Sequence, residues 1–503
     1  MNRVVYGLLL TLVLNVVRGQ SFWPALSSDS LIALRSQRDV LSNISIDKVP
    51  MVGVQLNEVA FRGTSNETES LEILASLLNV GVQAYMMDIE FDESYNLTIS
   101  GSDTSLGTTL STFKRFISSS NNYLNADMLV LLLRLKQNTN TSTKGAPSNF
   151  PNITAILDLY LGSSTLYTPS QLAYDRSSGN VAPSYGNLNS PDWPSLNYFL
   201  YSIQKRAVVF YVDTASSDAL QSPAIFNASN LNYETSNTPI VCPLTNNAQV
   251  LNTSSLSWRF LQKDYSPSDI REYTMCGYSP IIDNKYNPNS INTISNVLEN
   301  SLLWSWASNE PNTSDDTRSN STSLVARRCA VVHYTKSNSS SYWTVANCYD
   351  RKRALCKRDG NDFEWAVTQE GASYFSHHDQ DGNGFCPDNF SLSLPQTALQ
   401  EKSLDNYLSQ LSPEGWEIWI DLNSVSVPDC WVPDGPYASC PYQKEVSTRN
   451  FVSMITPVSV FAAVTILMLI MLSWRRVPIQ DNRKRWKRVI NSHLGSKAEG
   501  VPA

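Results

Sequence analysis

One stretch constrains this chain more than any other. Residues 452–474 read Val-Ser-Met-Ile-Thr-Pro-Val-Ser-Val-Phe-Ala-Ala-Val-Thr-Ile-Leu-Met-Leu-Ile-Met-Leu-Ser-Trp, with no charge between Arg449 and Arg475. As a helix rising about 1.5 Å per residue, such a segment crosses a hydrocarbon core roughly 30 Å thick. Its one breaker, Pro457, stands near the start, where a first helical turn tolerates it. Arg475, Arg476, Arg483, Lys484, Arg485, Lys487 and Arg488 follow at once. Positive charge beside a span marks the cytoplasmic side. The expectation is a transmembrane helix over 450–474, a basic cytoplasmic tail over 475–503, and everything earlier on the far side of the membrane.

The N-terminus agrees with that topology. Arg3 precedes an apolar run over 4–17 that ends at Arg18-Gly19, the form of a secretory signal peptide over 1–19. Eleven Asn-X-Ser/Thr sequons all precede the span: Asn43, Asn66, Asn96, Asn140, Asn152, Asn227, Asn252, Asn312, Asn320, Asn338 and Asn389. All eight cysteines (Cys242, Cys276, Cys329, Cys348, Cys356, Cys386, Cys430 and Cys440) precede it too. An even number in an oxidising compartment suits four disulfides. Together these features predict a single-pass type I glycoprotein of the secretory pathway or cell surface. The whole chain carries −7 although its tail is basic, so the outer part is acidic. Direct binding of nucleic acid is not expected of that part. The tail is the candidate for contact with anionic lipid, at about 1 kcal/mol per basic residue near the surface.

Cysteine is absent from 20–240 and regular afterwards, which suggests a domain boundary near 240. In the first segment, residues 49–56, 82–90, 128–134 and 207–212 read as strands, while 70–78, 110–117 and 196–203 read as helices. Strands alternating with helices predict an α/β domain with a parallel sheet. Asp47-Lys-Val-Pro-Met-Val-Gly-Val-Gln-Leu-Asn57, then Gly81-Val82-Gln83 and Asp88-Ile-Glu90, resembles the opening of the phosphatidylinositol-phospholipase-C-like barrels. The resemblance implies a TIM-barrel-like domain over 20–240 with a site at the C-terminal strand ends. Those phosphodiesterases use a histidine pair as general base and acid, because proton transfer near neutral pH needs such a pKa. This chain has four histidines (His333, His377, His378 and His493), none before residue 333. Gln55 or its neighbours stand where the first catalytic histidine would be expected, and an amide cannot shuttle a proton. Asp88, Glu90 and Asp92 are the remaining acid/base or cation-binding candidates; at a barrel rim they serve equally as hydrogen-bonded strand-end residues.

In the cysteine-containing half, Trp304-Ser-Trp306, Glu310-Pro-Asn312, Cys329-Ala, Trp343, Cys348 and Cys356 resemble the C-type lectin-like fold. That resemblance implies an α+β domain over 241–360, with Cys329 joined to Cys348 and Cys276 to Cys356. It also implies a calcium site using Glu310 and Asn312. The second ligand triplet is replaced by Trp343-Thr344-Val345, though, and calcium wants six to eight oxygens. No cofactor is therefore expected, calcium being the one ion these residues admit; a structural or protein-binding use of the fold is favoured over sugar binding. Asp379, Asp381 and Asn383 with Gly384 fit the first positions of an EF-hand loop, but position 12 is Phe390, so a polar turn is the preferred reading. Residues 361–449, rich in Trp and Cys, read as a disulfide-linked module next to the membrane, with a helix over 397–411.

The order of parts, with Val82-Gln-Ala…Asp88-Ile-Glu90, Cys386-Pro…Phe390 and Cys430-Trp-Val…Cys440-Pro-Tyr442, is similar to the fungal membrane protein family called maintenance of telomere capping protein 6. The family resemblance implies a part in telomere capping with no established activity. A span between the folded bulk and chromatin makes that part indirect. Two alternatives stay open: a phosphodiesterase acting on a lipid headgroup or glycan, and a cell-surface carbohydrate-binding protein.

Overall fold

The apolar runs become the staves of a curled parallel sheet. The computed structural model describes residues 26–62, 66–136, 152–182, 193–285, 291–313, 326–337, 339–378, 385–411, 416–442, 448–476 and 482–495. Its first sheet contains β1 (Gly53–Gln55), β2 (Ala84–Phe91), β3 (Leu97–Ile99), β4 (Leu129–Leu135), β5 (Leu166–Tyr167), β6 (Ala207–Tyr211), β7 (Asn232–Thr235), β8 (Arg259–Lys263) and β9 (Ser279–Ile282). The strand order is β5-β6-β4-β2-β1-β9-β8-β7, parallel throughout, with β3 added antiparallel to β2. The first and last strands, β1 and β9, are neighbours, while β5 and β7 end the row on opposite sides. The result is a (β/α) barrel opened at one seam. Phe226 covers the free edge of β6, donating its N–H to Val209 O and accepting from Tyr211 N–H, both at 2.9 Å.

Helices pack outside the strands for local reasons. The helix read over 70–78 is Glu67–Val80: Asn66 caps it through Thr68 N–H, and Gly81, at φ +102°, ends it by donating its N–H to the Leu77 and Leu78 carbonyls. A Ser105 cap starts the helix Leu106–Ser119, and Thr168 followed by Pro169 starts Pro169–Ser178. These are the side chains that satisfy orphan N–H groups at a helix start. The 196–203 stretch instead makes a short wide turn at Tyr198–Ser202. Alternate residues of β1, β2 and β4 point inward, and Ala84, Met86, Val130, Leu132, Phe210, Trp258, Phe260 and Ile281 fill the barrel. The opposite faces, with Val54, Tyr85, Met87, Leu131 and Val209, pack on the helices.

The boundary expected near 240 is absent: β7 straddles it in the paired row, and β8 and β9 complete the barrel beyond it. Cysteine spacing misplaced it because the first disulfide, Cys242–Cys276, lies inside the barrel. The pair Cys276–Cys356 implied by the lectin resemblance is thereby corrected, since Cys356 joins Cys386. Cys329–Cys348 forms as expected, and Cys430 joins Cys440.

A second, mixed sheet follows, built from β10 (Arg327–Thr335), β11 (Ser340–Asn347), β12 (Arg353–Arg358), β13 (Trp365–Val367), β14 (Phe390–Leu392) and β15 (Trp416–Asn423). Its order is β11-β10-β15-β12-β13, with β14 on β12. Because β15 lies between β10 and β12, residues 361–449 do not form a module of their own; their last strand is in the middle of the sheet. Barrel and second sheet belong to one compact unit reaching Tyr442. The helix Ser28–Val40 ties them together. Gln37 Nε2 donates to Leu302 O at 2.8 Å and Gln37 Oε1 accepts from Ser305 Oγ at 2.7 Å, while Trp306 Nε1 donates to Ser36 Oγ at 2.6 Å. All eight described sequon asparagines (43, 66, 96, 152, 227, 252, 312 and 389) are exposed; Asn140, Asn320 and Asn338 lie outside the described residues.

The second unit contains the long apolar helix, Thr448–Arg476, and the basic helix Asn482–Gly495. Within the first, Ile455–Trp474 has a mean hydropathy of 2.4 and none of it is buried in protein. Pro457 lies inside this helix rather than in its first turn, because the polar residues from Thr448 extend the helix ahead of the apolar run.

Two fold elements generate tests. A Cβ on Gly53 would approach the Cβ and carbonyl oxygen of Ala84 to 2.8 Å each, with Ile281 Cδ1 nearer still. Gly53→Val should lower stability by about 1–3 kcal/mol through overpacking, read by thermal unfolding of the detergent-solubilised protein. The second element is a buried acid pair on the helix Ala398–Leu411. Ser341 Oγ is 2.5 Å from both Glu401 Oε1 and Asp405 Oδ1, and Trp343 Nε1 donates to Glu401 Oε2 at 3.1 Å. One hydroxyl hydrogen cannot serve two acceptors, so a carboxyl proton must complete the bridge. Burial raises both carboxyls above their ordinary range, and the charge of Asp405 raises Glu401 further. Arg271 near both and Lys402 near Asp405 oppose the rise, while the Tyr334 hydroxyl lies on the Asp405 side. The folded state therefore binds more protons than the unfolded state above about pH 4. Stability is full below that point and falls as pH rises through the raised values. Glu401→Gln should flatten the fall between pH 5 and pH 8, a difference on the order of 1–3 kcal/mol; a profile parallel to that of the unmodified protein would exclude the shared proton.

Candidate functional site at the barrel mouth

Inward alternation places one polar layer at the C-terminal strand ends. Gln55 ends β1, Asp88 is on β2, Arg134 is its register partner on β4, Gln262 is on β8 and Asp283 follows β9. Asp88, only 2 % exposed, is held from three sides. Arg134 Nε and an Arg134 terminal nitrogen donate to its two oxygens at 2.7 and 3.1 Å. Lys136 Nζ stands 2.8 Å from Oδ2, and Gln55 Nε2 donates to the same oxygen at 3.0 Å. Asn57 braces the strand, accepting Asp88 N–H at 2.8 Å and donating to the carbonyls of Asp88 and Ser100 at 2.9 Å each.

Such a carboxylate is a structural anion. Its oxygens are taken up by two cations and an amide donor. Across the mouth, Gln262 Nε2 donates to Asp283 Oδ2 at 3.0 Å, and the Tyr233 hydroxyl donates to Gln262 Oε1. Burial raises the Asp283 carboxyl above its usual range, although the Gln262 hydrogen bond opposes the rise. Asp283 is therefore the mouth carboxyl nearest to acid/base use. Gln55 Oε1 is buried with no donor among the described residues.

The three acidic candidates from the sequence do not converge. Only Asp88 is in the ion-paired layer. Glu90 accepts from Ser100 Oγ and Gly101 N–H, both at 3.1 Å, and so fixes the turn after β3. Asp92 closes the exposed β2–β3 turn, accepting Ser94 and Asn96 N–H at 2.8 and 2.7 Å; these bonds hold its carboxyl below the usual range. Sequence reasoning missed Arg134, Lys136, Tyr233, Gln262 and Asp283. The available signal was polar residues at alternate positions closing an apolar run, as in Leu133-Arg134-Leu135-Lys136.

In the second sheet, Glu310 follows Asn309 and precedes Pro311 through a cis bond. Its Oε2 accepts Asn312 N–H at 2.8 Å and Val345 N–H at 3.3 Å, so one of the oxygens implied for calcium braces the backbone instead. Asn312 is exposed nearby. Asp379, Asp381 and Asn383 lie outside the described residues. Among the described residues no group of three His, Cys, Asp or Glu side chains is arranged to hold a metal ion.

Comparison with known proteins decides the family. The family model described as the MTC6 partial TIM-barrel domain matches residues 24–304, the stretch that includes the opened barrel. "Maintenance of telomere capping protein 6" of Zygosaccharomyces rouxii is 38% identical over 485 residues, covering 95% of this chain and 93% of its own. The protein of the same name from Saccharomyces cerevisiae is 37% identical over 502 residues, covering 97% and 94%. The chain belongs to the maintenance of telomere capping protein 6 family. Its curated members bear a maintenance name rather than the name of an enzyme. Among solved structures, a variant of the phosphatidylinositol-specific phospholipase C from Staphylococcus aureus is similar at 11% identity and a TM-score of 0.30, covering 55% of this chain and 98% of that one. PLC21 from S. officinalis is similar at 9% identity and 0.29, covering 63% and 44%.

For this member of the family, the mouth makes a stability prediction. Asp88→Ala leaves Arg134 and Lys136 facing each other without their anion and should cost about 2–4 kcal/mol, moderated because both cations reach solvent. Adding Arg134→Met should restore part of the loss in urea unfolding; a double variant as unstable as the sum of the single ones would contradict the network.

Proposed function

We propose that this family member is a non-catalytic, single-pass type I membrane glycoprotein whose folded part serves binding on the lumenal or extracellular side. Its contribution to telomere-capping maintenance is then indirect, because a bilayer stands between that part and chromatin. The observation that carries the non-catalytic reading is the ion-paired Asp88 in a barrel segment without a single imidazole. Phosphodiester cleavage on a (β/α) barrel of the phospholipase type needs a base and an acid near neutral pKa at that mouth. Gln55 offers neither. The membrane reading is supported by the apolar helix with its basic flank, and the lumenal reading by four disulfides and the exposure of every described sequon. The ligand is a protein or a glycan, and the basic helix Asn482–Gly495 provides charge for anionic lipid.

One strain tests both halves of the reading. In cells lacking the gene, a copy carrying Asp88→Asn and Asp283→Asn should restore telomere capping fully at normal protein level. The same protein should shift to lower mass on treatment with an N-glycan-removing enzyme. Loss of rescue with normal abundance would revive the phosphodiesterase reading, and an unshifted band would remove the lumenal one.

A further inference from the structure

The basic helix Asn482–Gly495 has two unlike sides. Trp486, Val489, Ile490, His493 and Leu494 recur at the i, i+3, i+4, i+7, i+8 spacing that sets residues along one stripe of an α-helix. Lys484, Arg485, Lys487 and Arg488 take the rest of the circumference. Arg483, in the first turn, is the one cation on the apolar side, where its stem can lie along apolar surface while the guanidinium stays in water. The four apolar side chains are between 43 and 65 % exposed. Single exposed hydrophobic residues are ordinary, but four on one stripe mark a surface that something covers.

A helix like this is not self-sufficient in water. At 14 residues it is near the length where isolated helices become marginal. It carries five cations and no acid, and the like charges one turn apart, Arg483 with Lys487 and Lys484 with Arg488, repel. Whatever covers the stripe must therefore bring apolar depth and negative charge together. A second copy of the helix brings the depth but doubles the cations. A bilayer with anionic headgroups brings both. The chain also holds the helix close to one, because only residues 477–481 separate it from Arg476, the last residue of the apolar helix Thr448–Arg476. At about 3.5 Å per residue, that link reaches roughly 20 Å at full extension.

We propose that Asn482–Gly495 is an in-plane anchor. It lies along the anionic leaflet beside the span, with Trp486, Val489, Ile490 and Leu494 at the boundary between headgroups and acyl chains and its cations on the lipid phosphates. The proposal rests on the reading of Thr448–Arg476 as a membrane span and goes further than attraction by charge, because the tail is inserted rather than held above the surface. Apolar insertion and basic attraction are the two signals that together make surface binding stable.

All eight cysteines are paired in disulfides, so a cysteine introduced into the helix is the one reactive thiol. The full-length protein, reconstituted into bilayer discs of phosphatidylcholine alone or with about one quarter phosphatidylserine, is labelled with an uncharged, water-soluble maleimide. The rate is measured at Ile490→Cys on the stripe and at its neighbour Asn491→Cys on the polar side. In the anionic discs Ile490→Cys should react about tenfold or more slowly than Asn491→Cys. That gap should narrow by about threefold or more in phosphatidylcholine discs, and equally when Lys484→Gln, Lys487→Gln and Arg488→Gln are combined. Equal rates at the two positions in anionic discs overturn the proposal. A gap as wide without anionic lipid overturns it too, as does one seen only with several copies per disc or only after cytosol is added, which assigns the stripe to a protein partner. Protein that fails to enter the discs contradicts the span and this proposal with it, whereas protein that enters them and shows equal rates leaves the span standing and removes the insertion alone.

Discussion

Everything in the first three hundred residues depends on β1 having two parallel neighbours at once. β2 comes from the next turn of the chain, whereas β9 comes from more than two hundred residues later, and Gly53 is the residue where both press closest. A side chain there would push Ile281 and Ala84 apart. The row, already open at one seam, would then split in two and gain two further free edges at β1 and β9. Parallel strands need both faces covered, so the helices between them cannot hold their places if that closure fails. At the seam, between β7 and the edge where the two-residue β5 lies on β6, the closure elsewhere fixes the curl and Phe226 satisfies the part of β6 that β5 leaves free.

The second structural tie is the helix Ser28–Val40, which belongs by sequence to the barrel and by contact to both sheets. Ala33 and Val40 share a core with Trp304, Trp306, Trp343 and Trp431, while Gln37 bonds across to Leu302 and Ser305. Each of those hydrogen bonds is buried, and a buried amide that loses its partner costs about 1–3 kcal/mol. The acid pair on Ala398–Leu411 works at the same junction, because Arg271 of the barrel donates to the carbonyls of Trp304 and Ser341 beside it. Barrel and second sheet are thus joined through satisfied polar groups as much as through apolar area. That junction is why the chain to Tyr442 behaves as one unit despite its two sheets.

What was legible beforehand was local. The runs at 82–90, 128–134 and 207–212 became β2, β4 and β6, and the helix ending at Gly81 followed from spacing and a left-handed cap. Asp88 was legible too, as an acid at the end of an apolar strand. Its partners were not, because Arg134 meets Asp88 only through a register that no local pattern encodes. Asp283 and Gln262 were hidden by the boundary placed near 240, an error with a physical cause: cysteine usage tracks where cross-links form, not where a core ends. Cys242–Cys276 staples the barrel itself, so the first cysteine marks no frontier. The lectin resemblance had paired Cys276 with Cys356, which instead closes on Cys386 within the second sheet's own segment.

The two ends of the barrel are braced in different ways. In a barrel enzyme, polar groups at the C-terminal strand ends are left under-satisfied so that a substrate can complete them, and the N-terminal ends are closed by packing. Here most of the C-terminal layer is satisfied from within, Gln55 Oε1 excepted: Asp88 takes its counter-charges from Arg134 and Lys136, and Gln262 is spent on Asp283 and Tyr233. Neutralising that carboxylate with adjacent strand ends adds cross-strand stability where an open sheet needs it. The N-terminal ends, by contrast, meet the helix Ser28–Val40, whose Leu34 packs on the barrel while Ala33 and Val40 pack with the second sheet. A cavity of about 350 Å³ remains beside that helix, with Arg35, Gln83 and Asp127 among its lining residues. The barrel is thus braced at one end by ion pairs within its own strands and at the other by a helix that it shares with the second sheet.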